Sequence, residues 1–396
     1  MPANSPCFDP QLCRVLVRGV NWLGDAVMTT PALQRLREAL PDSHIALLTN
    51  EKLADLWRYD PCLNSVITFA AGESLWSVAR RLSAERFQTA LVLPNSPRSA
   101  LEAWLAGIPQ RIGNKGHWRR WFLTRMAAPR PDSMHMHKRS IREVHRRIDA
   151  SANGIHNEGR RFFPATAHQT HEYLHLAAVL GANPEPIPSR LVVKTEEVQA
   201  VAAKFNLAAE ITDRRPFFGL NPGATYGPAK RWPAERFAAV AREVQRRTQC
   251  VCLIFGGAAE VALSREVQAA TGIRQPALFN LAGQTTLREL CALLKLCRVL
   301  LTNDTGPMHI AAALGTPVVV PFGSTSSELT GPGLSGDTRH QLLKSTAPCA
   351  PCFRRTCPVD FRCMTGIAVE TVVEAVSRVI QPSALSSACV SRPVTG

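Results

Sequence analysis

Several stretches of this chain join turn-forming residues to groups that hold charge. Asn303-Asp304-Thr305-Gly306-Pro307 stands between an apolar run at 299–302 and a helical stretch at 308–314, and a second apolar run follows at 316–322. Strand, loop, helix, strand puts that loop at the carboxyl edge of a parallel sheet, where open α/β folds bind ligands. Asp304 or Thr305 is expected to cap the helix, Pro307 suits its first turn, and Gly315 stops it. The N–H groups and positive dipole end of such a helix suit a phosphate or diphosphate. Gly306 permits close backbone approach, and His309 lies one turn in. An ordinary βα turn with a good cap would use the same residues.

Three further loops carry comparable chemistry. Arg18-Gly19-Val20-Asn21-Trp22-Leu23-Gly24-Asp25 follows an apolar run at 12–17 and precedes a helix expected over 26–40. It lacks the GxGxxG dinucleotide spacing. Asp25 at the helix start reads either as a cap or as a general base. In the second half, 221–233 brings Thr225 and Lys230 to the end of a strand at 216–220, and Glu260 follows a strand at 250–255. Lys230 can neutralise a phosphate, Thr225 can donate a hydrogen bond, and Glu260 can bond ribose hydroxyls. The bland alternative makes Lys230 a surface charge and Glu260 a helix cap. Cys349, Cys352, Cys357 and Cys363 form a tight four-thiol cluster whose first pair has metal-ligand spacing, for zinc or iron; four buried or incidental thiols are the alternative.

These loops need a scaffold, and the pattern supplies one. Short apolar runs at 44–48, 65–69, 89–93 and 278–280 alternate with helical stretches at 75–85, 99–106, 173–180, 195–205, 234–247, 286–296 and 367–380. Such alternation predicts parallel sheets covered by helices. A chain of 396 residues suffices for two cored domains. The proline-rich linker at 183–188 divides the expected Rossmann-like N-terminal domain, 1–185, from a second, 186–380. A Ser/Pro-rich tail at 381–396 is expected to be disordered. Residues 150–170 read as an irregular insertion.

The net charge is +15, and 110–147 carries 11 Lys/Arg against Asp132 and Glu143. Trp118, Trp121 and Phe122 interleave with those cations. The combination fits an anionic ligand, anionic lipid or nucleic acid, but no RRM, KH or helix-turn-helix pattern accompanies it, so nucleic acid is not expected. No secretory signal or membrane span is recognised, and twelve cysteines then point to thiols or metal ligands in a reducing compartment.

Together, VRGVNWLGDAVMTTPALQRLREALP, NPGATYGPAKRWP, FGG with Glu260, NLAGQTTLREL and TNDTGPMHIAAALGTPVV resemble the ADP-heptose:lipopolysaccharide heptosyltransferases of glycosyltransferase family 9, and GPAKRWP is the form of the heptosyltransferase II branch. The resemblance spans most of 12–380. It implies a GT-B fold, two Rossmann-like domains facing a central cleft, and inverting transfer of L-glycero-D-manno-heptose from ADP-heptose to the first inner-core heptose of Kdo-lipid A. It implies a cytoplasmic enzyme peripheral to the inner membrane. Asp25 matches the family's base. Asp304, Thr305, Gly306, His309, Lys230, Thr225 and Glu260 fall to the donor. Asn21 and Trp22, with Arg119 and Arg120 of the basic segment, fall to the anionic acceptor. Transfer needs no cofactor on this reading, although related protein heptosyltransferases hold iron on a similar cysteine cluster. Heptosyltransferase I or III, a protein heptosyltransferase and a nucleotide-sugar epimerase are the alternatives within enzymes.

Overall fold

The computed structural model describes residues 14–116, 118–134, 136–153, 163–334 and 336–380. They form two compact units, each drawing on three stretches of chain. One takes the described residues of 1–135, 162–192 and 328–335, the other those of 136–161, 193–327 and 336–396.

The first unit holds a six-stranded parallel sheet: β1 (Arg14–Arg18), β2 (His44–Asn50), β3 (Ser65–Phe69), β4 (Thr89–Val92), β5 (Gln110–Asn114) and β6 (Arg125–Ala127), ordered β3-β2-β1-β4-β5-β6. The second holds β7 (Phe217–Asn221), β8 (Val251–Ile254), β9 (Leu278–Asn280), β10 (Val299–Thr302), β11 (Val318–Phe322) and β12 (Gln341–Lys344). Its order, β9-β8-β7-β10-β11-β12, is the same doubly wound plan. The inner strands β4, β7 and β10 are buried throughout. Parallel strands covered on both faces must be apolar at successive positions, which is why they stand out in the sequence. In each sheet the order reverses between the first and fourth strands (β1 and β4, β7 and β10), the crevice where such folds take ligands.

The helices follow their caps. Ser74, Ser96 and Ser140 accept from the backbone N–H three residues on, and Thr286 with Glu289 makes a full capping box. The final helix, Val369–Ile380, buries Val372, Val373, Val376 and Ile380 in the second core beside Phe237 and Val319.

Two expected segments differ, and the basic stretch gains elements. The single helix expected over 26–40 is two, Leu23–Met28 and Thr30–Ala39. Pro31 has no N–H for the Val27 carbonyl, and Thr30 Oγ1 donates to that oxygen instead, at 2.8 Å. The basic stretch 110–147 is largely structured. It contains β5, β6 and the start of the helix Ile141–Ala152, whose Val144 packs on Cys349 and Cys352. The expected insertion at 150–170 begins inside that helix and overlaps the next, Thr170–Ala178; 154–162 and the tail 381–396 lie outside the described residues.

Candidate functional site

In the second unit the loops after β7 and β10 are knitted together by two buried asparagines. Asn221 Nδ2 donates to Thr302 Oγ1 (3.0 Å) and Thr305 Oγ1 (3.2 Å). Asn303 Nδ2 donates to the Pro222 carbonyl (2.8 Å), and Asn303 Oδ1 accepts from the Trp232 N–H (3.0 Å). Each amide satisfies loop groups that burial would otherwise leave unpaired. In the sequence Asn303 reads only as a turn residue and Asn221 carries no assigned role; Asn at the end of a buried strand is the available signal.

That framework fixes a charged pair. Lys230 Nζ donates to Asp304 Oδ2 at 2.7 Å, with Asp304 only 5% exposed, and Thr325 Oγ1 donates to the same oxygen at 2.7 Å. Lys230 also lies 4.8 Å above the Tyr226 ring. The expected cap is therefore revised. Thr305 occupies the N-cap of the helix Gly306–Ala313, but its hydroxyl faces Asn221 and Thr302 and makes no cap bond, while the Asp304 carboxylate is taken by Lys230 and Thr325. A helix start without a side-chain cap keeps its dipole end for an anion, with an ammonium group beside it. His309 is buried in that helix, and Thr225 is exposed on the β7 loop. Glu260 accepts from the Gly257 N–H at 2.9 Å and crosses over Gly223, where a Cβ would stand 1.9 Å from its Oε1. A side chain at 223 would therefore displace Glu260.

The cysteine-rich segment braces this loop. Tyr226 Oη donates to the Phe353 carbonyl (3.2 Å), the Ala229 N–H to that of Arg355 (3.0 Å), and the Phe353 N–H to that of Ser324 (2.7 Å). Arg139 ties it to the chain before Ile141–Ala152, its N–H donating to the Cys352 carbonyl (3.0 Å) and its Nη1 to that of Cys349 (2.9 Å). Cys349, Cys352 and Cys363 are buried. Burial, then the neighbouring thiols, pushes Cys349 up and Cys363 up to about 12, and burial raises Cys352 as well. Among the described residues no group of three or more His, Cys, Asp or Glu is placed to hold a metal ion, so the four thiols do not form a ready ligand set.

In the first unit Asp25 sits half-buried in the first turn of Leu23–Met28. Gln169 Nε2 donates to Asp25 Oδ1 at 3.4 Å and to Tyr173 Oη at 2.8 Å. Tyr173 is buried, and desolvation, then the Asp25 charge, holds its phenol well above the ordinary range. Gln169 is held in turn, its N–H donating to the Leu329 carbonyl (3.0 Å) while His168 Nε2 meets the Gly331 carbonyl (3.0 Å). Asn21 and Trp22 are exposed on the same loop. The loop's base is a buried ion pair: Arg18 Nε donates to Glu102 Oε2 at 2.7 Å and Arg18 Nη1 to Asn21 Oδ1 at 3.3 Å.

Arg119 is placed otherwise than a docking cation requires. It is 1% exposed, with Nη1 on the Asn114 carbonyl (2.8 Å) and Asn95 Oδ1 (3.2 Å), and so it braces the β4 and β5 ends. Arg120 is exposed, its guanidinium 4.7 Å from the Trp121 ring.

Comparison with known proteins follows the same lines. The profile of glycosyltransferase family 9 (heptosyltransferase) matches residues 75–361. Lipopolysaccharide heptosyltransferase 2 of Escherichia coli K12 is 31% identical over 333 residues, 81% of this chain and 85% of that one. Lipooligosaccharide heptosyltransferase 2 of Haemophilus ducreyi is 28% identical over 330 residues, 81% and 86%. The solved E. coli ADP-heptose lipopolysaccharide heptosyltransferase II superposes with a TM-score of 0.72 at 25% identity, covering 93% of this chain and 98% of that one. The two doubly wound sheets are thus those of a GT-B-type fold.

Proposed function

This chain belongs to glycosyltransferase family 9, the heptosyltransferases, and from that premise we propose that it moves L-glycero-D-manno-heptose from ADP-heptose to the first heptose of the lipopolysaccharide inner core. The observation that carries the reading is the Lys230–Asp304 pair beside the open start of Gly306–Ala313, in a chain matched over 81% of its length to heptosyltransferase 2.

The chemistry needs two things. The acceptor hydroxyl must lose its proton as it attacks the anomeric carbon, and the departing ADP must be stabilised as its charge grows. Asp25 takes the proton, with Gln169 orienting its carboxylate. The Gly306 N–H, the helix dipole and Lys230 stabilise the diphosphate, with Thr225 as a further donor. Glu260 takes the ribose, and His309 supports the phosphate end. Asn21 and Trp22 receive the acceptor sugar, and Arg120 its phosphate or carboxylate groups; buried Arg119 acts through the loop it braces. Every step runs on protein groups alone, so no cofactor enters the transfer. A structural zinc or iron would enter the same reading only if Cys349, Cys352, Cys357 and Cys363 closed up from the arrangement described above. Elemental analysis of the purified protein beside Cys352→Ser tests it, and equal metal content in the two would overturn it.

The acceptor is Kdo-lipid A, which places the enzyme in the cytoplasm against the inner membrane. No helix among the described residues is long and apolar enough to cross one. The test is ADP release from ADP-heptose with Kdo-lipid A bearing one heptose, with heptose-free Kdo-lipid A, and without acceptor. Release that needs the singly heptosylated acceptor and collapses in Asp25→Ala supports the reading. Release only with the heptose-free acceptor moves the assignment to heptosyltransferase I.

A further inference from the structure

Among the described residues five tryptophans are exposed, and all five lie in the first unit, between 22 and 121; Trp232 of the second unit is buried. Three of them share a side of the sheet. The helices Leu75–Ala84 and Pro97–Leu105 pack against each other and turn Val78, Ala79, Leu82, Ala100 and Ala103 into one core cluster. The opposite face of the first helix carries Trp76, Arg80 and Ser83, spaced i, i+4 and i+7 on one stripe. Trp76 is 70% exposed. A groove of about 490 Å³ runs here, lined by Trp76, Arg80, Arg86 and Leu105. Next to Leu105, Trp104 meets Phe122 edge-on at 5.8 Å, and the turn Arg119–Trp121 packs on the same helix, with Arg120 stacked on exposed Trp121.

The charges on this face are one-sided. Glu85 is paired with Arg14, Arg81 with Glu73, and Glu102 is buried against Arg18 and Arg98. Arg80, Arg86 and Arg120 are exposed and have no carboxylate partner among the described residues. Exposing large indole rings costs free energy unless something covers them. Tryptophan beside arginine is the composition that settles at the headgroup level of a bilayer, the ring reaching the acyl boundary and the guanidinium meeting phosphate.

We propose that the outer face of Leu75–Ala84 and Pro97–Leu105, with the Arg119–Trp121 turn, docks on an anionic lipid bilayer. The complement to three unpaired guanidinium groups among exposed indoles is a surface of phosphate headgroups over hydrocarbon. The proposal rests on the lipid-anchored acceptor of the proposed function, since such a face lets the enzyme meet a substrate that does not leave the membrane. It also relocates the basic contact. Arg119, buried, is not the docking cation; Arg80 and Arg86 are.

Flotation of the full-length protein with phosphatidylcholine vesicles, with and without phosphatidylglycerol, tests this. The unmodified protein floats with the anionic vesicles and is released by added salt. Trp76→Ser combined with Arg80→Glu lowers that partition by about tenfold or more, on a scale of about fivefold per cation near the surface. Both positions are exposed, so the circular dichroism melt stays unchanged. The double variant also keeps its turnover on a soluble, deacylated acceptor. Equal flotation of both proteins, equal flotation on neutral vesicles, or binding by this face of oligonucleotide in place of vesicles would each overturn the proposal. Absence of heptosyl transfer by both proteins, with the difference in flotation intact, would instead refute the function and leave the docking face standing.

Discussion

Replacing Lys230 by Met breaks the Lys230–Asp304 ion pair between the β7 and β10 loops, and the structure sets the size of the effect. Removing one partner of a buried pair usually costs about 2–5 kcal/mol, mostly as the cost of the charge left behind. Asp304 is 5% exposed, so its carboxylate cannot regain full hydration. Thr325 continues to donate to the same oxygen, which places the cost at the low end, about 2 kcal/mol. Asp304→Asn strands less, because Lys230 is 14% exposed and stays against the Tyr226 ring, for a cost of about 1 kcal/mol. The two changes together should cost less than their sum, with a coupling energy of about 1–2 kcal/mol. Urea unfolding of the four proteins measures it. With two units the transitions need assigning, and the relevant one is the transition that ADP shifts to higher urea. A coupling below about 0.5 kcal/mol would show that the pair does not form in solution. Lys230→Met should also raise the donor KM about tenfold or more, equivalent to about 1.4 kcal/mol of lost phosphate contact. An unchanged KM would remove Lys230 from the donor site.

Four other outcomes are expected. Gln169→Leu, which removes the amide holding Asp25 Oδ1, should lower kcat about tenfold with donor KM unchanged; a matching rise in KM instead would make Gln169 a binding residue. Gly227→Ala puts a Cβ 2.5 Å from the Arg355 carbonyl and should raise donor KM by moving the Lys230 loop; wild-type kinetics would show that the cysteine segment is not its brace. His168, His171 and His340 all have pKa values held below the ordinary range, first by burial. Unfolding then binds protons as pH falls through about 6.5, so stability is full above that pH and declines below it; a melting temperature unchanged between neutral and mildly acidic buffer would contradict this. Treatment with EDTA should leave transfer intact if, as proposed, Lys230 and backbone amides stabilise the leaving group; loss restored by a divalent ion would refute that.

The central strands were legible because burial on both faces leaves only apolar runs, as at 299–302 and 250–255. The edge strands β6 and β12 were not. Arg125–Ala127 and Gln341–Lys344 are short, keep polar residues exposed, and carry no such run. The loops at 221–233 and 303–307 were legible from their turn residues, but the Lys230–Asp304 bond joins positions 74 apart, which no local pattern reports. Arg119 misled for a physical reason. Arginine interleaved with tryptophan reads as a basic surface, whereas the fold turns the tryptophans outward and buries that guanidinium on Asn95 and Asn114. Pro31 and the two threonines before it were visible as a break in the helix at 26–40, and apolar spacing outweighed them there.

The two units share a strand order, yet neither is a module in the genetic sense. Each is assembled from three stretches, so a cut in the proline-rich linker would produce no self-sufficient half. The amino-terminal piece would lack 328–335, whose carbonyls receive Gln169 and face His168. It would keep Val144 without Cys349 and Cys352, the core partners that cover it. Recombination between relatives at that linker would pair a Gln169 from one parent with a Leu329 from the other. Asp25 and the helical turn Ser327–Thr330 that steadies Gln169 beside it must therefore be inherited together, and the natural unit of exchange for this fold is the whole chain.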